Sequence, residues 1–233
     1  MLKLKLWLPH LAALAAIVLC ARLALWQVDR AEEKRQRMEQ WQNAPTLSLN
    51  ETSAASLFAT VTATGRFDAT RHVMLDNQIR NNHAGVHVFT PFRLQGTESI
   101  YMVNRGWLPW DRSLGQGAMF DTPLETITIQ ARISDVPKVG LQLGEASPLD
   151  PEQWPNLMTY YDTDRIREAL GPSVVEPVLL LDPEDPAHLT GDHWQPVNMG
   201  SERHVGYAFQ WSAIGAAIFL IWLILTYRSY RKA

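Results

Sequence analysis

The sequence of 233 residues has one cysteine, Cys20, and a formal net charge of only -3. A single thiol leaves no partner for an internal disulfide or a thiolate metal site, which counts against a thiol redox protein or a cysteine-based copper carrier. The near balance of charge supplies no basic surface for nucleic acid. Neither a glycine loop spaced for phosphates nor a Ser/His/Asp order with a nucleophile elbow occurs, and the carboxylates are scattered. Nothing supports an enzyme, and internal repeats and low-complexity segments are lacking as well.

What the chain does have is two long apolar runs, one near each end. Val205 to Tyr227 carries no formal charge, and as a helix it would measure about 34 Å against a hydrocarbon core of about 30 Å. The run from Leu6 to Val28 is interrupted by Pro9, His10, Arg22 and Gln27. A cleavable signal peptide is the rival reading there, since Lys3 and Lys5 precede it. The run is long for a signal core and no small-x-small site follows, so an uncleaved anchor is expected. Arg228, Arg231 and Lys232 follow the second run and place that end in the cytoplasm. With two spans, both termini are then cytoplasmic and the middle lies outside. The lack of an Arg/Ser-rich presequence points to a bacterial inner membrane, with the middle in the periplasm.

The expected organisation is an anchor over 1–28, a charged helical stalk over 29–44, an outer domain over 45–203, a membrane helix over 204–227 and a basic tail over 228–233. Within the outer domain, β-branched and aromatic runs begin at Phe58, His72, Gly85, Ser99, Glu125, Asn156 and Glu176, each bounded by turn residues. One short helix is predicted from Thr163, with Ile166 and Leu170 four apart and Gly171 as its stop. The fold class is therefore two transmembrane helices flanking a mainly antiparallel β domain, as a barrel or strongly curved sheet, with one short helix.

Three features invite a functional reading. In VNRGWLPW, from Val103, Gly106 fits a bulge or turn closed to bulkier residues, Trp107 an anchored corner and Arg105 an outward projection. Asn104, Arg105, Gly106 and Trp107 make either a structural corner or a partner-binding surface. His83 and His87 share a strand face, and His188 and His193 flank a loop opened by Asp182-Pro-Glu-Asp-Pro. Two ligands are not a site, and no metal centre is expected.

The third feature is RHVGYAFQW, at the mouth of the second apolar run. Ser201 is placed to cap a helix in which His204, Tyr207, Ala208, Trp211 and Gly215 lie along one face. The dipole at a helix N-terminus favours neutral imidazole, the form that binds iron. Small residues at Ala208, Ser212 and Ala216 admit a close neighbour, either the alanine-rich first span or a flat macrocycle. On the residues alone, an interfacial belt and a ligand site both remain open, the belt being the more ordinary.

In order, WQVDRAEEK, GRFDATRHVMLDNQ, GVHVFTPFRL, VNRGWLP, WPNLMTYYD and RHVGYAFQW resemble the Surfeit-locus-one family of cytochrome oxidase assembly proteins over nearly the whole chain. The resemblance implies two membrane helices, an outer β-rich domain and a non-enzymatic role in haem-copper oxidase biogenesis. It implies haem a as a transient cofactor presented to the oxidase's catalytic subunit, with other assembly factors and membrane lipid as partners. A cofactor-free scaffold is the alternative. The family's proposed haem ligand falls on His204, with Tyr207 and Trp211 on its helix face. Ser212 stands where members commonly carry an aromatic. Propionates require a cation, and Arg22, near the outer end of the first span, is the nominee.

Overall fold

The computed structural model describes residues 2–52, 56–110, 120–138, 144, 148–191 and 200–231. It divides into two compact units, residues 1–42 with 195–233 and residues 43–194.

The first unit is a pair of helices, α1 (Leu2–Gln42) and α3 (Ser201–Tyr230). No Gly or Pro interrupts α1 after Pro9, so the apolar run and the charged stalk form one helix that ends before Asn43-Ala44-Pro45. Both helices are long and apolar enough to cross a membrane. Their most apolar windows are only 17% and 6% buried, whereas a helix in a water-soluble core would cover most of such a surface.

The helices pack antiparallel along a narrow seam. On α1 it runs through His10, Ala13, Ile17, Cys20, Ala24, Gln27 and Ala31, steps of three and four that keep one stripe facing the partner. His204, Ala208, Trp211, Gly215, Ile218 and Trp222 answer it on α3. A Cβ on Gly215 would lie 3.2 Å from the Cβ of Cys20, so the backbones approach as closely as small residues permit. Ser212 and Ala216 are exposed and lie off this seam; of the small residues expected to admit a neighbour, Ala208 does so, joined by Gly215.

In the second unit the strands are β1 (Thr46–Ser48), β2 (Thr60–Phe67), β3 (Val73–Arg80), β4 (His83–Leu94), β5 (Ile100–Pro109), β6 (Ile127–Ser134), β7 (Asn156–Met158) and β8 (Val174–Leu181). They form one sheet in the order β1-β2-β6-β8-β5-β4-β3-β7. An added β2–β4 pairing, Gly65↔Leu94 to Phe67↔Phe92, closes β2, β6, β8, β5 and β4 into a barrel. A side chain at Gly65 would run into the Phe92 ring, 2.7 Å away, so the closure depends on glycine there. Long β4 pairs with β5 along one edge and shares its other edge between two strands, its first half pairing with β3 and its last residues with β2.

Alternation along the strands divides the core. Val61, Ala63, Phe67, Phe92, Leu94, Val103, Ile129 and Leu179 belong to one cluster. Val73, Leu75, Phe89, Met102 and Met158 form a second, which receives Ile166 from α2 (Thr163–Leu170). The Asp162 carboxylate accepts the amides of Asp164 and Arg165 at 3.0 and 3.2 Å and caps α2, whose other end closes with the Gly171 amide on Arg167 O. β7 ends at Met158, and Asp162, the last residue of the WPNLMTYYD stretch, caps α2 instead of extending the strand. The turn from β3 to β4 places Asn81 and Asn82 at φ 49° and 63°, the pair of left-handed residues a two-residue hairpin needs.

Candidate functional site

His204 sits in the first turn of α3, whose N-cap is Gly200 rather than the expected Ser201; no side chain caps this end. Its imidazole faces α1, with Nδ1 2.8 Å from Oε1 of Gln27. Gln27 is buried at 8% exposure, on the seam between Ala24 and Ala31. An amide oxygen carries no proton, so the contact is a hydrogen bond with Nδ1–H as donor. A neutral imidazole then holds its lone pair on Nε2, and Nε2 has no hydrogen-bond partner among the described residues. That is a single nitrogen donor suited to iron or another borderline metal, with its other nitrogen already engaged.

The remaining candidates of this region divide. Trp211 is half-buried on the seam with His204, whereas Tyr207 is 45% exposed and lies off it. Arg22 is not brought to His204. It is exposed on α1, roughly 180° around the helix from the Cys20–Ala24–Gln27 stripe. The expected reach between Arg22 and His204 therefore fails on helical geometry, and Gln27 occupies that place. Sequence reasoning passed over Gln27 as an interruption near the end of an apolar run; its signal was its position in the three-four repeat of small residues.

A second polar contact lies at the other end of the helix pair, where Trp222 Nε1–H donates to His10 Nδ1 at 2.8 Å. By helical rise the two contacts are about 26 Å apart, close to the thickness of a hydrocarbon core.

In the barrel unit, the expected outward projection of Arg105 is overturned: its side chain is 1% exposed. The guanidinium donates to Ala187 O at 2.9 Å, Thr122 Oγ1 at 2.6 Å and Asp121 O at 2.7 Å, between the Phe67 and Phe120 rings. Burial draws its pKa down to about 10, opposed by the Asp185 carboxylate. Gly106 has the conformation expected of it, φ 111°, and lies against the His188 ring, where a Cβ would meet Cε1 at 2.9 Å. Asn104 accepts the Gly106 amide at 3.0 Å, and the Trp107 indole donates to Gln78 O at 2.7 Å. All four motif side positions are buried.

The histidines pair differently from the spacing in sequence. His83 is exposed, with Nδ1 2.9 Å from Asn81 O. His87 is held below the ordinary histidine range, chiefly by burial and further by His188, against the opposing hydrogen bonds of Asn104 and Gly106. Thus His87 answers to His188 rather than to His83, and His193 lies outside the described residues. Among the described residues no three His, Cys, Asp or Glu side chains converge.

A model of the SURF1 family matches residues 14–216. A SURF1-like protein of Caenorhabditis elegans is 29% identical over 171 residues, 68% of this chain and 49% of the relative. One from Drosophila melanogaster is 29% identical over 150 residues, 61% and 45% of the two chains. A third, from Caenorhabditis briggsae, is 27% identical over 171 residues, 68% and 50%. The chain spans about half the length of the curated relatives it matches.

Proposed function

The chain belongs to the SURF1 family, and on that premise we propose that it is a membrane-anchored assembly factor for cytochrome oxidase that holds haem a as cargo through His204. The observation that carries this reading is the Nδ1 contact of His204 with Gln27, which leaves Nε2 as a basic nitrogen at the end of an apolar helix pair. Haem iron is bound by imidazole nitrogen, and Nε2 of His204 would supply that nitrogen. The protein's own part is to hold the ring and keep its proton on Nδ1, with Trp211 about two turns further along the same seam. Delivery to the catalytic subunit of the oxidase follows from the same reading, as do two spans, cytoplasmic termini, an outer domain in the periplasm and a bacterial inner membrane. The work is binding and presentation, without catalysis.

The cofactor-free scaffold would meet oxidase subunits through the sheet surface and the VNRGWLP stretch, with Asn104, Arg105, Gly106 and Trp107 among the contacts. Their burial speaks against a recognition surface made of these side chains. The two readings separate in one preparation. Protein purified from cells that synthesise haem a carries a Soret band, and His204→Ala loses it while still reaching the membrane. A wild-type preparation without haem removes the carrier reading and leaves the scaffold.

A further inference from the structure

We propose that Gln27 is the positioning residue of the site: its amide oxygen fixes His204 as the Nδ1–H tautomer and so makes Nε2 the one nitrogen able to take a ligand. The inference rests on the carrier reading only in naming haem iron as that ligand.

Three observations support it. The Nδ1–Oε1 distance of 2.8 Å is that of a well-formed hydrogen bond, and only the imidazole can supply the proton. Gln27 is buried in the helix seam with its oxygen toward the ring, and in that orientation a tautomer with Nδ1 unprotonated would leave two lone pairs facing one another in a site with little water to relieve them. The second histidine of the helix pair carries the opposite arrangement. His10 Nδ1 accepts the Trp222 indole proton, which places its own proton on Nε2. Two interfacial histidines in one helix pair are thus set in different tautomers by their partners, and only His204 presents a basic Nε2. The general chemistry is that of a ligand imidazole whose far nitrogen is held by an outer acceptor, an arrangement that fixes ring orientation and raises basicity.

The test uses the full chain in detergent micelles with ring-15N histidine, at about pH 8, above the ordinary histidine range. His204→Gln identifies the resonances by their loss. Without haem, wild-type His204 is expected to show a protonated Nδ1 and an unprotonated Nε2. Gln27→Met, similar in volume but without an acceptor, is expected to lose that preference, and Gln27→Glu, which keeps an acceptor, to retain it. Hemin is then expected to bind Gln27→Met roughly 10-fold or more weaker than wild type, and Gln27→Glu within about 2-fold.

A wild-type His204 protonated on Nε2 overturns the proposal, because the amide would then be turned to donate its NH2. So does a Gln27→Met protein with an unchanged tautomer ratio. If Gln27→Met fails to fold, the wild-type spectrum alone still decides. If hemin fails to bind wild type while the tautomer is as expected, the carrier reading falls and the Gln27–His204 assignment stands.

Discussion

Arg105 keeps a positive charge where almost none of the side chain meets water, and its three hydrogen bonds and two flanking rings replace the lost hydration. Removing the guanidinium strands the Ala187 and Asp121 carbonyls that accept from it. Arg105→Met is expected to destabilise the barrel unit by about 3 kcal/mol in chemical denaturation, and Arg105→Lys by a comparable amount, since an ammonium cannot fork to three acceptors. A loss under about 0.5 kcal/mol, the level of an ordinary surface change, would contradict this. Histidine burial adds a pH dependence. Burial holds both His72 and His87 below the ordinary range, His72 while its ring meets Thr90 Oγ1 and Ala69 O at 3.0 and 3.1 Å. The unfolded chain therefore takes up protons first, and stability present above the unfolded value of about 6.5 is lost as pH falls through the lower folded values. His72→Gln and His87→Gln are expected to flatten the melting temperature against pH as pH falls below about 6.5, and an unchanged slope in both would contradict the assignment. In sequence, Arg105 reads as an outward projection at a glycine bulge; its burial depends on the distant residues 121–122 and 187.

At the scale of elements, the α1–α3 seam is tight enough to be tested chemically. Gly215→Cys places a second thiol against Cys20, whose Cβ lies 3.2 Å from the added atom, slightly inside the usual Cβ separation of a disulfide, about 3.5–4.5 Å. With a mild oxidant taking up the two thiol hydrogens, the pair is expected to close and resist alkylation; two alkylatable thiols would contradict the seam's register. For α2, Asp162→Ala removes the acceptor of two amides and is expected to cost about 1 kcal/mol. This helix was legible in the sequence because its start, spacing and stop are all local. So were seven of the strands, read from their β-branched and aromatic runs. The short β1 was not, since three residues hold its place only by pairing with Thr60–Thr62. Between a barrel and a strongly curved sheet the sequence left the choice open, because the deciding pairing brings Gly65 to Leu94 across the fold and no local signal announces it.

At the scale of the whole molecule, the family could be read from the order of short motifs between two apolar runs, and His204 from its place in the last of them. The partner of His204 could not, because Gln27 and His204 lie 177 residues apart in sequence and meet only when the helices pair. The topology has its own test on Ile79, 76% exposed near the β3–β4 turn. In a Cys20→Ser background, Ile79→Cys is expected to react in intact spheroplasts with a maleimide that cannot cross the membrane; labelling only after lysis would reverse the orientation. The most direct test of the central claim is a titration of haem a into the purified full chain, beside His204→Ala of matching helix content. Wild type is expected to show saturable binding with a Soret shift, and the variant at least a roughly 10-fold loss of affinity. Equal affinity and an equal spectrum in the two proteins would contradict it.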